Sequence, residues 1–159
     1  MPFESARYVN AQTYSDRVAR LVPQEGDIVF AREGTIGTAV LVPTGMNPCL
    51  GQRVMLLRKS QAITNRFLVH ALHSDAIISQ YREQALGSTV PHINVRDVKR
   101  FAVPLPPLPE QHRIVAEADR RLSLIRGAEA QVSANLARAK RLRQSILQAA
   151  FAQPGSAGQ

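Results

Sequence analysis

The stretch from Gly87 to Arg100 concentrates side chains that can bind nucleic acid. Such side chains donate hydrogen bonds to phosphates, and Asn and Arg can also bond to adenine and guanine edges in a bidentate manner. An ordinary polar loop is the alternative interpretation of this stretch. The polar and basic residues concerned are Ser88, Thr89, His92, Asn94, Arg96, Lys99 and Arg100.

A second candidate contact lies earlier, where Gly34 and Gly37 form a short turn flanked by Arg32. Glycine carries no side chain, so such a turn can approach a phosphate or a base edge closely. A plain hairpin turn is the alternative. The full set of residues that we expect to contact DNA is Arg32, Thr35, Arg53, Lys59, Thr89, His92, Asn94, Arg96 and Lys99.

Signatures of catalysis are weak. No glycine-rich loop is followed by Lys and Ser or Thr, so the chain has no P-loop motif. His70 and His73 are spaced as half a metal site, but no cysteine pair or carboxylate cluster completes it. Cys49 is the single cysteine and has no base partner near it in sequence. We therefore expect no catalytic residues, no metal and no cofactor.

The elements that would position these residues are predicted from periodicity. Short apolar runs bounded by glycine and proline predict strands, and the first two, on either side of the glycine turn, predict a hairpin. Spacings of three and four residues predict two short helices, followed by a helical turn. The class is α+β, with strands at 28–31, 38–42, 52–57 and 100–103, helices at 65–73 and 76–86, and a turn within 93–98.

The last third of the chain predicts one long helix from about Glu110, after the proline-rich run 104–109. Apolar residues recur there in alternating steps of three and four, the period that lets one helix wind against another. Glu129 and Arg143 interrupt this seam. A long helix packed on its own domain is the alternative. The residues expected to pair are Val115, Ala118, Leu122, Ile125, Val132, Leu136, Ala139 and Ile146.

The charge and hydropathy of the sequence limit the kinds of partner that we expect. The formal net charge of +8 suggests a polyanion, of which nucleic acid is the commonest. No apolar run approaches the length of a membrane span, and no signal peptide is apparent. We therefore expect a cytoplasmic protein with no membrane partner. A generally basic protein without a specific polyanion partner is the alternative.

Three stretches together resemble the specificity (S) subunit of type I restriction–modification systems. They are Gly26-Asp-Ile-Val-Phe-Ala-Arg-Glu-Gly-Thr-Ile-Gly37, Gly87-Ser-Thr-Val-Pro-His-Ile-Asn94 and Val103-Pro-Leu-Pro-Pro-Leu-Pro-Glu-Gln-His-Arg-Ile-Val115. The proline run that leads into a long helix is the most specific of the three. The resemblance covers nearly the whole chain.

The resemblance implies a non-catalytic subunit. Such subunits carry two target recognition domains, each reading one half of a split DNA sequence and each followed by a long helix. The two helices pair antiparallel and dock the methyltransferase (M) subunits, and through them the restriction (R) subunit. One recognition domain and one helix in this chain imply a half-subunit or a fragment, which would pair as a homodimer or with a second S half.

The corresponding organisation has four parts. We expect a target recognition domain at 1–103, lacking the start of a typical one, and a proline connector at 104–109. A coiled-coil spacer helix would follow at 110–152, with a disordered tail at 153–159. The alternative function is a truncated coiled-coil scaffold that has lost DNA binding.

Overall fold

A computed structural model of the chain describes residues 6–86, of which 83–86 by backbone alone, and residues 91–151. The chain divides into two compact units, Met1–Ala116 and Glu117–Gln159, called here the N-terminal unit and the C-terminal unit. The predicted tail at 153–159 and the residues Ser88 and Thr89 lie outside the described residues. The predicted α+β class is confirmed.

The N-terminal unit contains a three-stranded antiparallel sheet in the order β2-β1-β3. Its strands are β1 (Ile28–Ala31), β2 (Ala39–Leu41) and β3 (Val54–Leu57), close to three of the predicted ranges. The central strand β1 is buried at all four positions, because neighbours cover both of its edges and packed side chains cover its faces. This explains why β1 is a continuous apolar run without polar alternation.

The glycine turn joins β1 to β2 as a hairpin, as predicted, with Val29 opposite Val40. Gly34 and Gly37 have φ values of 72° and 84°, which L-residues with side chains rarely adopt. A Cβ atom on Gly37 would also overlap the hydroxyl of Tyr81. Tyr81 belongs to the larger cluster of buried side chains, called here the main core, which comprises Ile28, Phe30, Ala39, Leu72, Ile77, Tyr81, Ile93 and Val98. The turn therefore requires glycine at position 37 for two independent reasons.

The predicted fourth strand at 100–103 is wrong, because this segment is not a strand. The side chain of Gln80 accepts a hydrogen bond from Ala102 N (2.9 Å) and donates one to Ala102 O (3.1 Å). A side chain thus supplies the bonds that a neighbouring strand would have made. Phe101 and Val103 still pack against the main core, which accounts for the apolar alternation in the sequence.

Five helices accompany the sheet in the described residues. The helices α2 (Asn65–Leu72) and α3 (Asp75–Leu86) confirm the two short helices predicted, and α4 (Val95–Val98) confirms the helical turn. The helix α1 (Ala11–Val18) was not predicted, since only Val18 of its residues is buried. Its start is capped by Asn10, whose Oδ1 accepts from Thr13 N at 2.8 Å.

The last helix, α5, runs from Leu108 to Phe151 and begins two residues before the predicted start. Its 44 residues correspond to a length of about 66 Å at 1.5 Å per residue. Val115 is buried with Ile63, Phe67 and Ala71, so the beginning of α5 belongs to the N-terminal unit. No helix among the described residues is long and apolar enough to cross a membrane.

Candidate nucleic-acid interface

Three separate segments meet where β1 ends and β3 begins. Arg32 N and Glu33 N both donate to the carbonyl of Arg53, at 2.9 and 3.3 Å. On the other side, Ile93 N donates to the carbonyl of Arg32 at 2.9 Å, and Glu33 forms an isolated antiparallel bridge with His92. The hairpin turn, the start of β3 and the segment before α4 are therefore held together by backbone hydrogen bonds.

We call this region the recognition surface and define it as residues 32–37, 52–53 and 91–100. It joins most of the two stretches that the sequence suggested for nucleic-acid binding. Seven of the nine predicted contact residues lie on these segments: Arg32, Thr35, Arg53, His92, Asn94, Arg96 and Lys99.

Two arginines of the recognition surface, Arg53 and Arg96, are largely solvated. The side chains of Arg53 and Arg96 are 79% and 77% exposed. Their nearest carboxylates lie at the outer limit of an ion pair, 3.8 Å to Glu33 and 3.9 Å to Asp97. Exposed pairs of this kind contribute little free energy, so both guanidinium groups can exchange these partners for phosphate oxygens.

Asn94 precedes α4 with an extended backbone conformation, and its Nδ2 donates to Asp97 Oδ2 at 3.2 Å. Lys99 and Arg100 follow α4 and are exposed. The short helix therefore carries an amide at its start and two cations at its end, on residues that the sequence analysis selected for base and phosphate contacts.

Arg32 differs from the other predicted contact residues because its guanidinium is engaged within the protein. Its Nη1 donates to Ile93 O at 3.1 Å and its Nη2 donates to Gln52 O at 2.7 Å. Its Nε is buried and has no hydrogen-bond partner among the described residues. Nothing in the residue pattern around Arg32 indicates this internal role.

Lys59 lies beyond the opposite end of β3 from Arg53. Six residues of extended chain span about 20 Å, so the two cations cannot contact the same phosphate. At that end Arg58, which follows β3, bonds to Asp27, which precedes β1. Arg58 donates to the Asp27 carboxylate from Nε (2.9 Å) and from Nη2 (2.6 Å). These bonds lower the pKa of Asp27 below its ordinary value.

Gln111 is a structural residue whose importance the sequence analysis did not foresee. It is fully buried, and its Oε1 accepts from Thr64 N at 2.8 Å. Its Nε2 donates to the carbonyls of Ala62 and Pro106, both at 2.9 Å. The Pro-Glu-Gln sequence that opens α5 therefore places an amide where three backbone groups require partners.

In the C-terminal unit the apolar seam is exposed. Among its residues Leu122, Ile125 and Val132 are 39%, 53% and 66% exposed. Leu136 and Ile146 are exposed to a similar degree, and Ala139 is exposed, while Ala118 is half-buried. Val115 is instead used inside the N-terminal unit, so the accessible part of the predicted seam begins at Ala118.

The half metal site suggested by His70 and His73 has another explanation in the structure. His73 Nε2 accepts a hydrogen bond from Ala39 N at 3.1 Å, which ties the end of α2 to β2. Partial burial lowers the pKa of His73, which favours this neutral acceptor form. The described residues contain no group of three potential metal ligands.

Comparison with known proteins gives a consistent result. The sequence profile of the type I restriction modification DNA specificity domain matches residues 1–125. The specificity subunit of the Escherichia coli type I restriction enzyme EcoBI is 29% identical over 129 residues, which are 80% of this chain and 27% of that protein. The EcoDI specificity subunit, also from Escherichia coli, is 44% identical over 64 residues, covering 40% of this chain and 14% of the relative.

Two solved structures share the fold. The crystal structure of the HsdS subunit from Thermoanaerobacter tengcongensis aligns with a TM-score of 0.62 and 26% identity, over 87% of this chain and 36% of that chain. A chain from a study of complex assembly and conformational transition of the type I R-M system aligns with a TM-score of 0.73 and 26% identity, over 87% of this chain and 37% of that chain.

The chain thus spans about a quarter of the length of EcoBI's subunit and about a third of each solved chain. The profile covers the whole N-terminal unit and continues into α5 as far as residue 125. This protein belongs to the family of type I restriction modification DNA specificity domains.

Proposed function

We propose that this chain is a non-catalytic DNA-recognition module of a type I restriction–modification complex, in which the N-terminal unit reads one half of a split DNA sequence in the cytoplasm. The observation that carries this proposal is the recognition surface. The hairpin turn, the start of β3 and the residues around α4 are bonded together there, and the last two of these segments carry the exposed cations Arg53, Arg96 and Lys99.

The side chains of this surface suit two tasks. Arg53, Arg96 and Lys99 are exposed cations, which bind phosphates and fix the position of a protein on the duplex. Asn94 and His92 offer amide and imidazole groups, which can bond to base edges in the major groove. We expect the first group to supply affinity and the second to supply sequence preference. Thr35, Lys59 and Thr89 stay in the predicted contact set.

The C-terminal unit has a separate role in the proposal. Its exposed apolar seam would pair with the helix of a second copy or of a second S half, and would dock M subunits, through which the R subunit joins. The support is the exposure of large apolar residues along one seam of α5, which is unfavourable in water unless a partner covers it.

The proposal is tested by selecting bound duplexes from a random pool, with the purified chain and, separately, with its methyltransferase partner. We expect a preferred sequence, and an affinity that falls steeply with salt in proportion to the phosphates neutralised. The double variant Arg53→Gln/Arg96→Gln should reduce the slope of log affinity against log salt by about 1.8, which is about 0.9 per phosphate contact.

The matched control is Arg141→Gln, which removes one cation from the exposed C-terminal part of α5. We expect its effect on the slope to be small. The competing function, a coiled-coil scaffold without DNA binding, predicts assembly with methyltransferase subunits but no enriched duplex even at low salt. That outcome would contradict the proposed recognition function.

A further inference from the structure

We propose that Arg32 is a positioning residue of the recognition surface, which fixes residues 91–94 against the end of the sheet and does not itself contact DNA. This inference rests on the proposed function, since it concerns how the DNA-reading segment is held. It reassigns a residue that its charge and its place beside a glycine turn had suggested as a phosphate ligand.

Arg32 bonds to both neighbouring segments through main chain and side chain alike. Its amide donates to Arg53 O at 2.9 Å and its carbonyl accepts from Ile93 N at 2.9 Å. Its guanidinium then repeats the pattern, because Nη2 donates to Gln52 O at 2.7 Å and Nη1 donates to Ile93 O at 3.1 Å. Ile93 is therefore bonded to Arg32 through both its amide and its carbonyl.

This geometry requires an arginine specifically. A guanidinium is a rigid planar group that can donate to two carbonyls in different directions, whereas a lysine ammonium is a compact charge on a flexible chain. One N–H group on each Nη atom of Arg32 is engaged with a carbonyl and its Nε is buried, so the guanidinium is held in one orientation within the protein. Arg53, with a side chain that is 79% exposed, has no such constraint.

The consequence for recognition is local. Ile93 is 1% exposed and lies in the main core, while His92 and Asn94 on either side of it are predicted to contact DNA. Fixing Ile93 by two hydrogen bonds to Arg32 therefore fixes the two neighbours that would read the duplex. Without Arg32, the core contact of Ile93 remains but the direction of the flanking side chains is less restricted.

The first test compares Arg32→Lys with Arg53→Lys, using the duplex that the wild-type chain selects from a random pool. Both changes keep the charge. We expect Arg32→Lys to lose about tenfold or more in preference for that duplex over a scrambled one, with an unchanged salt slope. Arg53→Lys should keep both quantities close to wild type. Wild-type preference in Arg32→Lys would overturn the proposal.

A second test uses the wild-type chain, so that it does not depend on a variant folding. An arginine-selective dicarbonyl reagent should modify Arg53 readily in the free protein and slowly in the DNA complex. Arg32 should react slowly in both states, because its guanidinium is bonded internally. Rapid modification of Arg32 in the free protein, followed by protection on DNA binding, would show a contact and would overturn the proposal.

Failure of the proposed function is distinguishable from failure of this inference. If the wild-type chain selects no duplex, DNA recognition is contradicted, and hydrogen exchange of the free protein then decides the role of Arg32. The Ile93 amide should exchange faster in Arg32→Lys than in wild type, while core amides such as that of Phe30 keep their rates. Unchanged exchange at Ile93 would reject the positioning role.

Discussion

The Asp27 carboxylate shows how one buried charge is stabilised in the N-terminal unit. It accepts from Arg58 through both oxygens and from Gln24 N at 2.8 Å, and it is only 5% exposed. Arg58 Nη2 also donates to Val22 O at 2.9 Å. One guanidinium thus joins the segment before β1, the start of β1 and the segment after β3.

This arrangement predicts a pH dependence of stability. The hydrogen bond from Arg58, followed by that from Gln24 N, holds the pKa of Asp27 below 3.8 in the folded state despite the opposing effect of burial. The resulting stabilisation is fully present above the unfolded pKa and is lost as pH falls through the lower folded pKa.

Urea unfolding between pH 6 and pH 2.5 measures this effect. We expect the free energy of unfolding to fall more steeply below about pH 4 in wild type than in Asp27→Asn. Asp16→Asn is the control, since Asp16 is exposed and should leave the wild-type profile unchanged. Equal acid sensitivity in wild type and Asp27→Asn would show that Asp27 is not the group responsible.

Gln111 supports a second prediction at the residue scale. Gln111→Ala would leave Thr64 N and the carbonyls of Ala62 and Pro106 without their present partner. Buried polar groups left unsatisfied cost about 1–3 kcal/mol each, so we expect a loss of about 3 kcal/mol in unfolding free energy. Gln144→Ala on the exposed part of α5 is the control and should change stability by less than about 0.5 kcal/mol.

At the element scale, the two glycines of the hairpin turn allow the cost of backbone strain to be measured separately from the cost of steric overlap. Gly34 and Gly37 share a positive φ, but a Cβ atom on Gly34 meets nothing within 4 Å, whereas one on Gly37 meets the Tyr81 hydroxyl. We expect Gly34→Ala to cost about 1–2 kcal/mol, the ordinary cost of this conformation, and Gly37→Ala to cost about 1–3 kcal/mol more.

Thermal unfolding of the two variants and of Gly37→Ala/Tyr81→Phe checks this prediction. Removing the hydroxyl should recover part of the additional loss in Gly37→Ala, because the overlap is with that oxygen. If the two glycine variants are equally stable, the close contact with Tyr81 does not constrain the turn.

The elements also show what sequence patterns can and cannot reveal. The β1–β2 hairpin, α2 and α3 were predictable because their apolar patterns follow burial directly, and α5 was predictable from its long apolar period although most of its seam is exposed. The failure at 100–103 had a different cause, since Gln80 supplies strand-like hydrogen bonds to Ala102 from a helix. The role of Arg32 was hidden for the same reason: side-chain bonds to distant carbonyls leave no periodic signal.

At the scale of the whole molecule, the two units differ in how they are stabilised. The N-terminal unit contains both core clusters, whereas every described residue from Arg120 onward is exposed. Isolated helices gain little stability in water without tertiary packing. The C-terminal unit should therefore depend on association, and the N-terminal unit should not.

Helical circular dichroism at several protein concentrations tests this difference. We expect the melting temperature of the C-terminal unit to rise with concentration, because a partner that binds only the folded state stabilises it by mass action. Leu136→Glu should lower that temperature and weaken self-association in sedimentation equilibrium. Ser133→Glu, off the seam, should do neither; if it is as disruptive as Leu136→Glu, the seam assignment is wrong.

The buried start of α5 has a practical consequence for building chimeras between members of this family. A junction placed in the proline run 104–109 would give the recipient a foreign Gln111 and Val115 beside its own Ala62, Thr64 and Phe67. A junction after Val115 transfers donor and acceptor groups as one matched set. The segment to transplant thus ends about two helical turns after the proline run, at Val115, and not within the run itself.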